Sequence, residues 1–279
     1  MRVSALRVTS LAPKSVPSQY AALMPDPRFT PQHVSFDIDD VGATVANAIR
    51  RTIMSEMSIV GLYVDGDTKI NDEFIGDVED LTRSRVLMVP CQQDTPLDAV
   101  YVVDVTNDGD TPRNITFGEL KQVAGRKAPP PVEPHVCMCV LAPHKKLRCT
   151  IKVDSRYGDI RGNGARQVAC HVTSTARGFD PWQQYDKTGT SVSVSDIRNW
   201  TIDFDTNGTA SPLDIVRAAC VNIIERLRAL RHTAPDTIRA VGDEWHLGID
   251  GTYTISMMLE QQIVAAQSGV TACVARVDA

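Results

Sequence analysis

The sequence predicts helices and strands in one chain, on three observations. Polar and apolar residues alternate from His33 to Asp39, the pattern of a half-buried strand. Two stretches, Ala43 to Met57 and the segment opening at Ser211, carry apolar residues every three or four positions, as a helix does. Between them lie further strand-like runs, such as Val100 to Val105 and Arg148 to Val153. At about 150 residues per domain, 279 residues give roughly two domains.

Residues 1 to 33 read as turn-rich, punctuated by Pro13, Pro17, Pro25, Pro27 and Pro31. After the His33–Asp39 strand, Ala46, Ile49, Ile53 and Met57 define one helix face, with Asn47, Arg50 and Arg51 on or beside the other. A strand is expected from Ile59 to Val64. Residues 68 to 153 then read as a separate unit. Val100 to Val105, Val136 to Leu141 and Arg148 to Val153 are strand-like, Asn107 to Pro112 is turn chemistry, and Ala128 to Val132 is a stiff proline connector. Val168 to Thr173 is a further strand, and 178 to 199 reads as loop.

The strongest helical signal opens at Ser211, an N-cap followed by Pro212 at the first helical position and by Asp214 near the positive end of the helix dipole. Leu213, Val216, Cys220, Ile223, Leu227 and Leu230 follow at steps of 3, 4, 3, 4 and 3, the spacing of a seam between two helices. Beyond Pro235, Glu244 to Ile249 suggests a strand, Asp250 and Gly251 a turn, Ile255 to Ala266 a helix and Val270 to Val277 a strand. Some forty residues are too few to stand alone, so this piece must pack on the rest or on a partner.

Composition narrows the function. With 43% hydrophobic and 23% charged residues, wholesale disorder is excluded. A net charge of -5 argues against a protein that wraps DNA unaided. No run approaches the roughly 18 apolar residues of a membrane span. Met1 to Leu11 lacks the apolar core of a signal peptide, and the seven cysteines are irregularly spaced, so an intracellular, reduced protein is expected. The sequons at Asn114, Asn199 and Asn207 read as chance matches on that view.

Candidate chemistry is sparse. Asp203 and Asp205 share one side of an extended segment, which suits a metal pair or simply the outward face of a strand. Cys137, Cys139 and Cys149 with His135 or His144 lack the paired C-x₂₋₄-C units of structural zinc sites, so no cofactor is expected and the spacing argues against zinc. Gly158 to Gly164 lacks the Lys-Ser/Thr of a phosphate loop and reads as a connector. No nucleophile constellation is evident. Asn47, Arg50 and Arg51 form either a solvated face or a binding face.

Ala46-Asn-Ala-Ile-Arg-Arg-Thr-Ile-Met-Ser-Glu56 resembles the "(A/G)NxLRR…(S/A)E" helix of the alpha-like assembly subunits of RNA polymerases: bacterial alpha, its archaeal counterpart and the eukaryotic third-largest subunit. Asn71 to Ile75 and Val86 to Pro90 are similar to that family's "DEFIAHRLGLIPL" segment, with Gly76 to Arg83 in place of the "AHRLG" core. Leu141 to Leu147 resembles "LAPGQxL", Gly158 to Ala169 lies where the family has "GxGxxHAKxxPV", and Thr206 to Val216 resembles "TxGxxxPxEIV" at the entry to the dimerisation helix. Gly251 to Leu259 is similar to the "DHTLGNLL" motif of the small partner subunit, archaeal L or the eukaryotic eleventh subunit.

The resemblance implies an α+β fold, with a discontinuous dimerisation domain (1-67 and 154-234), an inserted mostly-β domain (68-153) and a short C-terminal αβ unit that is a partial L-type partner (235-279). It implies a non-catalytic platform for two large polymerase subunits, with the small partner supplied separately or internally and DNA met only through the complex. Asn47, Arg50, Arg51, Glu56, Glu73 and Phe74 would form the assembly interface, and the seam from Leu213 to Leu230 the dimerisation helix. The fusion and the missing zinc-loop cysteines after Pro90 suit a divergent viral member, acting in nucleus or cytoplasm or packaged in a virion. The alternative is a metal-dependent small-molecule enzyme using Asp203 and Asp205.

Overall fold

The computed structural model describes residues 2–11, 27–64, 76–157, 168–178, 197–242, 244–249 and 253–266. It is an α+β fold built on two apolar cores.

The first core lies under an antiparallel sheet of order β1-β2-β10-β9, formed by β1 (Arg2–Ser10), β2 (Gln32–Asp39), β9 (Ala169–Ala176) and β10 (Trp200–Thr206). The period of two sends Val34, Phe36 and Ile38 of β2, and Trp200, Ile202 and Phe204 of β10, to one face. Phe36 and Phe204 meet edge to face, ring centroids 6.5 Å apart. Onto this face pack α1 (Ala43–Arg51), α3 (Pro212–Thr237) and α4 (Tyr253–Ala266), through Ala46 and Ile49, Ile215, Ala219 and Ile223, and Ile255 and Met258. The opposite face is polar. Asp37, though only 8% exposed, is held by Thr201 Oγ1 at 2.7 Å and flanked by Arg7 at 3.5 Å and Arg177 at 3.6 Å, as a covered carboxylate requires.

The second core is covered by a sheet of order β3-β8-β4-β6, from β3 (Ser58–Val64), β4 (Val100–Thr106), β6 (Lys121–Ala124) and β8 (Lys146–Tyr157). Beside it pair β5 (Arg113–Thr116) and β7 (Cys137–Leu141), and α2 (Gly76–Met88) packs along β3. Leu62, Val86, Tyr101, Val103, Ile115, Phe117, Met138, Leu147 and Ile151 fill the interior. Strand β3 starts in one core and ends in the other: Ile59 belongs to the first, Leu62 and Val64 to the second. It is laddered to β8 from Ser58↔Tyr157 to Val64↔Ile151. The Gln93 side chain caps the backbone of Val60, accepting from its N–H at 2.8 Å and donating to its carbonyl at 3.0 Å, while the Gln93 N–H donates to the Thr209 carbonyl.

Several expectations are corrected. Residues 2–10 are a strand, not turns: β1 pairs with β2 as a sheet edge, and its apolar Val3, Leu6 and Val8 stay about half exposed, which hides the alternation. Residues 76–88 form a helix where the sequence showed no helical pattern, in a unit whose other described elements are mostly strands. The helix from Ser211 continues through Pro235 to Thr237, because the proline falls in the last turn, where only one ladder bond is forfeited. A hairpin of β11 (Ile238–Val241) and β12 (Glu244–Leu247) follows. The readings at Glu73 and Phe74, at Gly158 to Gly164, across most of 178–199, at Asp250 and Gly251 and at Val270 to Val277 lie outside the described residues.

Candidate functional site

The helical stretch beginning at Ala43 widens after Arg51 into a single π-helical turn, Thr52–Glu56. Such a turn changes which side chains point inward, and π-helical turns recur at functional sites. Here Thr52, Ile53, Ser55 and Glu56 are all buried.

Glu56 is the hub. Its side chain is 6% exposed, and Arg226 Nη1 of α3 donates to Oε2 at 2.7 Å. Thr254 Oγ1 of α4 donates to Oε1 at 2.5 Å, and Arg51 Nε donates to the same hydroxyl oxygen at 2.9 Å while lying 3.7 Å from Oε1. One carboxylate thus fastens α1, the π turn, α3 and α4 to one another. A covered charge with several charge-assisted partners is held in a single geometry.

The sequence grouped Asn47, Arg50, Arg51 and Glu56 as one interface, but the structure divides them. Arg51 and Glu56 turn into the protein. Arg50 Nε donates to Asn47 Oδ1 at 3.0 Å on the solvent side, one helical turn apart. Of the four, Asn47 and Arg50 are the two presented outward.

The α3 seam is also redistributed. Ile223 is buried in the first core, and Val216, Leu227 and Leu230 pack partly against it. Cys220 is half-buried, and burial raises its thiol pKa. Leu213 is 53% exposed, and Val221 and Ile224 are about 45% exposed. A 3.5-residue repeat drifts by about 20° per heptad around a straight 3.6-residue helix, so the predicted seam wraps from the solvent side into the protein's own core. The core-facing residues are instead Ile215, Ala219 and Ile223, a strict four-residue row that includes two positions outside the seam. The apolar flank left open is Leu213, Val221 and Ile224.

Cys139 and Cys149 are buried in the second core. Burial first, and then the neighbouring thiol, push their pKa values up to about 11 and about 12. His135 lies 3.3 Å from Glu133 and His144 lies 3.1 Å from Asp110, and among the described residues these histidines and thiols form no metal-sized group. Asp203 and Asp205 both sit on the outer face of β10 and flank His33, whose ring nitrogens lie 3.9 Å from Asp203 and 2.7 Å from Asp205.

The family model that describes the RNA polymerase Rpb3/Rpb11 dimerisation domain matches residues 35–227, from β2 into the second half of α3. No curated protein matches the chain.

Proposed function

We propose that this chain, which belongs to the RNA polymerase Rpb3/Rpb11 dimerisation-domain family, is the platform on which two large catalytic subunits assemble. Membership makes it an assembly-type subunit of DNA-directed RNA polymerase, a non-catalytic role that rests on association with other polymerase subunits. The finer reading concerns which surfaces do this. The observation that carries it is the α3 flank of Leu213, Val221 and Ile224, apolar side chains left near half exposure on a helix whose other side is already buried. Exposed apolar residues grouped on one helix face are the signature of a partner surface. On this reading the flank receives a small partner subunit, and Asn47 with Arg50 faces a large one.

The two cores support a discontinuous dimerisation domain, 1-67 with 154-234, into which 68-153 is inserted. Helix α4 lies on α1 and contributes Ile255 and Met258 to the first core. That packing supports residues 235-279 as a partial L-type unit joined to the same chain, with a separate small subunit completing the pair on the α3 flank, an arrangement suited to a divergent viral polymerase working in nucleus, cytoplasm or virion. DNA would be met only through the complex, in keeping with the net charge of -5. No described helix is long and apolar enough to cross a membrane. Nothing supports the alternative of a small-molecule enzyme at Asp203 and Asp205, whose shared neighbour is His33.

Co-expression of the full chain with the other polymerase subunits tests the reading. Leu213→Asp with Ile224→Asp is expected to abolish co-purification of the small partner while leaving thermal unfolding of the chain unchanged, since both positions are exposed. Asn47→Ala with Arg50→Ala is expected to weaken recovery of a large subunit. Full recovery of every subunit with both double variants refutes these surfaces.

A further inference from the structure

On the outer face of the first sheet, opposite the core, one cross-strand row holds His33 of β2, Asp205 of β10 and Cys170 of β9. Asp205 pairs with His33 on one side and with Cys170 on the other. Directly opposed residues project from the same face, so three chemically different ligand groups stand side by side.

A fourth joins them through an irregularity. Between Asp203 and Asp205 the register to β9 slips: two steps on β10 correspond to three on β9, from Cys170 to Thr173. The extra residue is accommodated at His171, whose φ is +51°, in the left-handed region that a non-glycine residue rarely adopts. In a regular strand His171 would point into the core, opposite to Cys170. With the bulge, both lie exposed between buried Ala169 and Val172. The Cys170 sulfur, a His171 ring nitrogen and an Asp205 carboxylate oxygen all lie within 4.8 Å of one another. Tetrahedral zinc with bonds of about 2.0–2.3 Å holds its ligands roughly 3.3–3.8 Å apart. Closing the difference calls for side-chain rotation at the exposed Cys170 and His171 and the part-buried Asp205.

We propose that Cys170, His171 and Asp205 bind one zinc ion on the outer face of this sheet, with water in the fourth position and His33 hydrogen-bonded to Asp205 as the group that orients the carboxylate. Thiolate, imidazole and carboxylate together are a zinc-type donor set, softer than calcium or magnesium sites and harder than all-thiolate clusters. The 2.7 Å contact between His33 Nδ1 and Asp205 Oδ1 is the kind of outer contact that fixes a metal-binding carboxylate. Asp203, 3.9 Å from the other ring nitrogen of His33, adds negative charge beside the cation. Burial and the Asp205 carboxylate raise the Cys170 thiol pKa, and a bound dication opposes that by stabilising the thiolate. The ion would tie β9 to β10 at the bulge, where the ladder between them is interrupted.

The test uses the full-length chain, stripped with a chelator and then loaded with Zn²⁺ or with Co²⁺. Elemental analysis after desalting is expected to give one zinc per chain. The cobalt form is expected to show a thiolate-to-metal charge-transfer band in the near ultraviolet. Cys170→Ser should abolish that band, and Cys137→Ser, at the other exposed thiol among the described residues, should leave it intact. His171→Ala and Asp205→Asn should each weaken zinc binding by tenfold or more, and His33→Ala by about tenfold. A reading independent of any variant is alkylation of the native chain followed by peptide mapping, in which zinc should protect Cys170 and leave Cys137 reactive. Substoichiometric zinc, a charge-transfer band that survives Cys170→Ser, or unchanged alkylation of Cys170 in the presence of zinc overturns the proposal.

Discussion

Replacing Glu56 is the sharpest perturbation of the helical layer. Its carboxylate is 6% exposed and receives Arg226 at 2.7 Å and Thr254 at 2.5 Å, with Arg51 3.7 Å away. Glu56→Ala removes all of these at once and takes the carboxylate away from Thr254, 3% exposed, and from the quarter-exposed Arg226. Breaking a buried pair by deleting one partner costs about 3–5 kcal/mol, and the partial exposure of Arg226 places this case near the lower figure. Glu56→Gln keeps the shape and one acceptor but loses the charge, so about 1–2 kcal/mol is expected, the gap between charged and neutral hydrogen bonds. In urea, with a slope of about 3 kcal/mol per molar for a chain of this size, Glu56→Ala should lower the midpoint by about 1 M and Glu56→Gln by about half that. A double-mutant cycle with Thr254→Val should give a coupling of about 0.5–3 kcal/mol. A Glu56→Ala midpoint within roughly 0.2 M of the parent, or strict additivity in the cycle, would refute the hub.

Two further outcomes follow from the second core and from the loop before α3. The buried thiols of Cys139 and Cys149 are raised from 9.0 to about 11 and about 12, so the folded state keeps protons that the unfolded chain releases above pH 9. Their stabilising contribution is complete below pH 9 and is lost as pH rises toward 12; the urea midpoint should fall between pH 8 and pH 10.5, and Cys149→Ala should flatten that fall. Gly208 has a φ of +80°, and a Cβ there would come within 2.7 Å of the Thr30 nitrogen and closer still to the Phe29 carbonyl. Gly208→Ala should therefore destabilise by more than about 1 kcal/mol, seen as a lowered thermal midpoint, and an unchanged midpoint contradicts the close approach.

Periodicity made most elements legible. The alternation in β2 and the cap at Ser211 marked their elements because local chemistry set them, and the side chain of Ser211 indeed accepts from the Asp214 N–H. Strand β1 escaped because its apolar residues never enter a core, and β5 and β6 are only four residues each. The site was legible as a motif but not as an arrangement. Nothing near Glu56 in the sequence shows that its partners are Arg226, 170 positions on, and Thr254, 198 positions on. Nor does any spacing bring Cys170 beside Asp205. That proximity depends on strand register, and the facing of His171 depends on one bulge.

The shared ribbon of β3 and β8 has a practical corollary for anyone dissecting the molecule. Because β3 is rooted in one core and finishes in the other, no excision point falls between the two units. Deleting residues 68–153 would remove the first eight of the twelve residues of β8, strip Leu62 and Val64 of their surroundings and take away the Gln93 amide that closes the edge at Val60. A shortened chain would then present a raw strand end to solvent, the sort of edge that recruits other strands. The insertion is better regarded as a cantilever whose beam is continuous with the wall that carries it. Through Met57, β3 runs straight into the π-helical turn that ends at Glu56, so the insertion and the helical layer share one uninterrupted stretch of backbone.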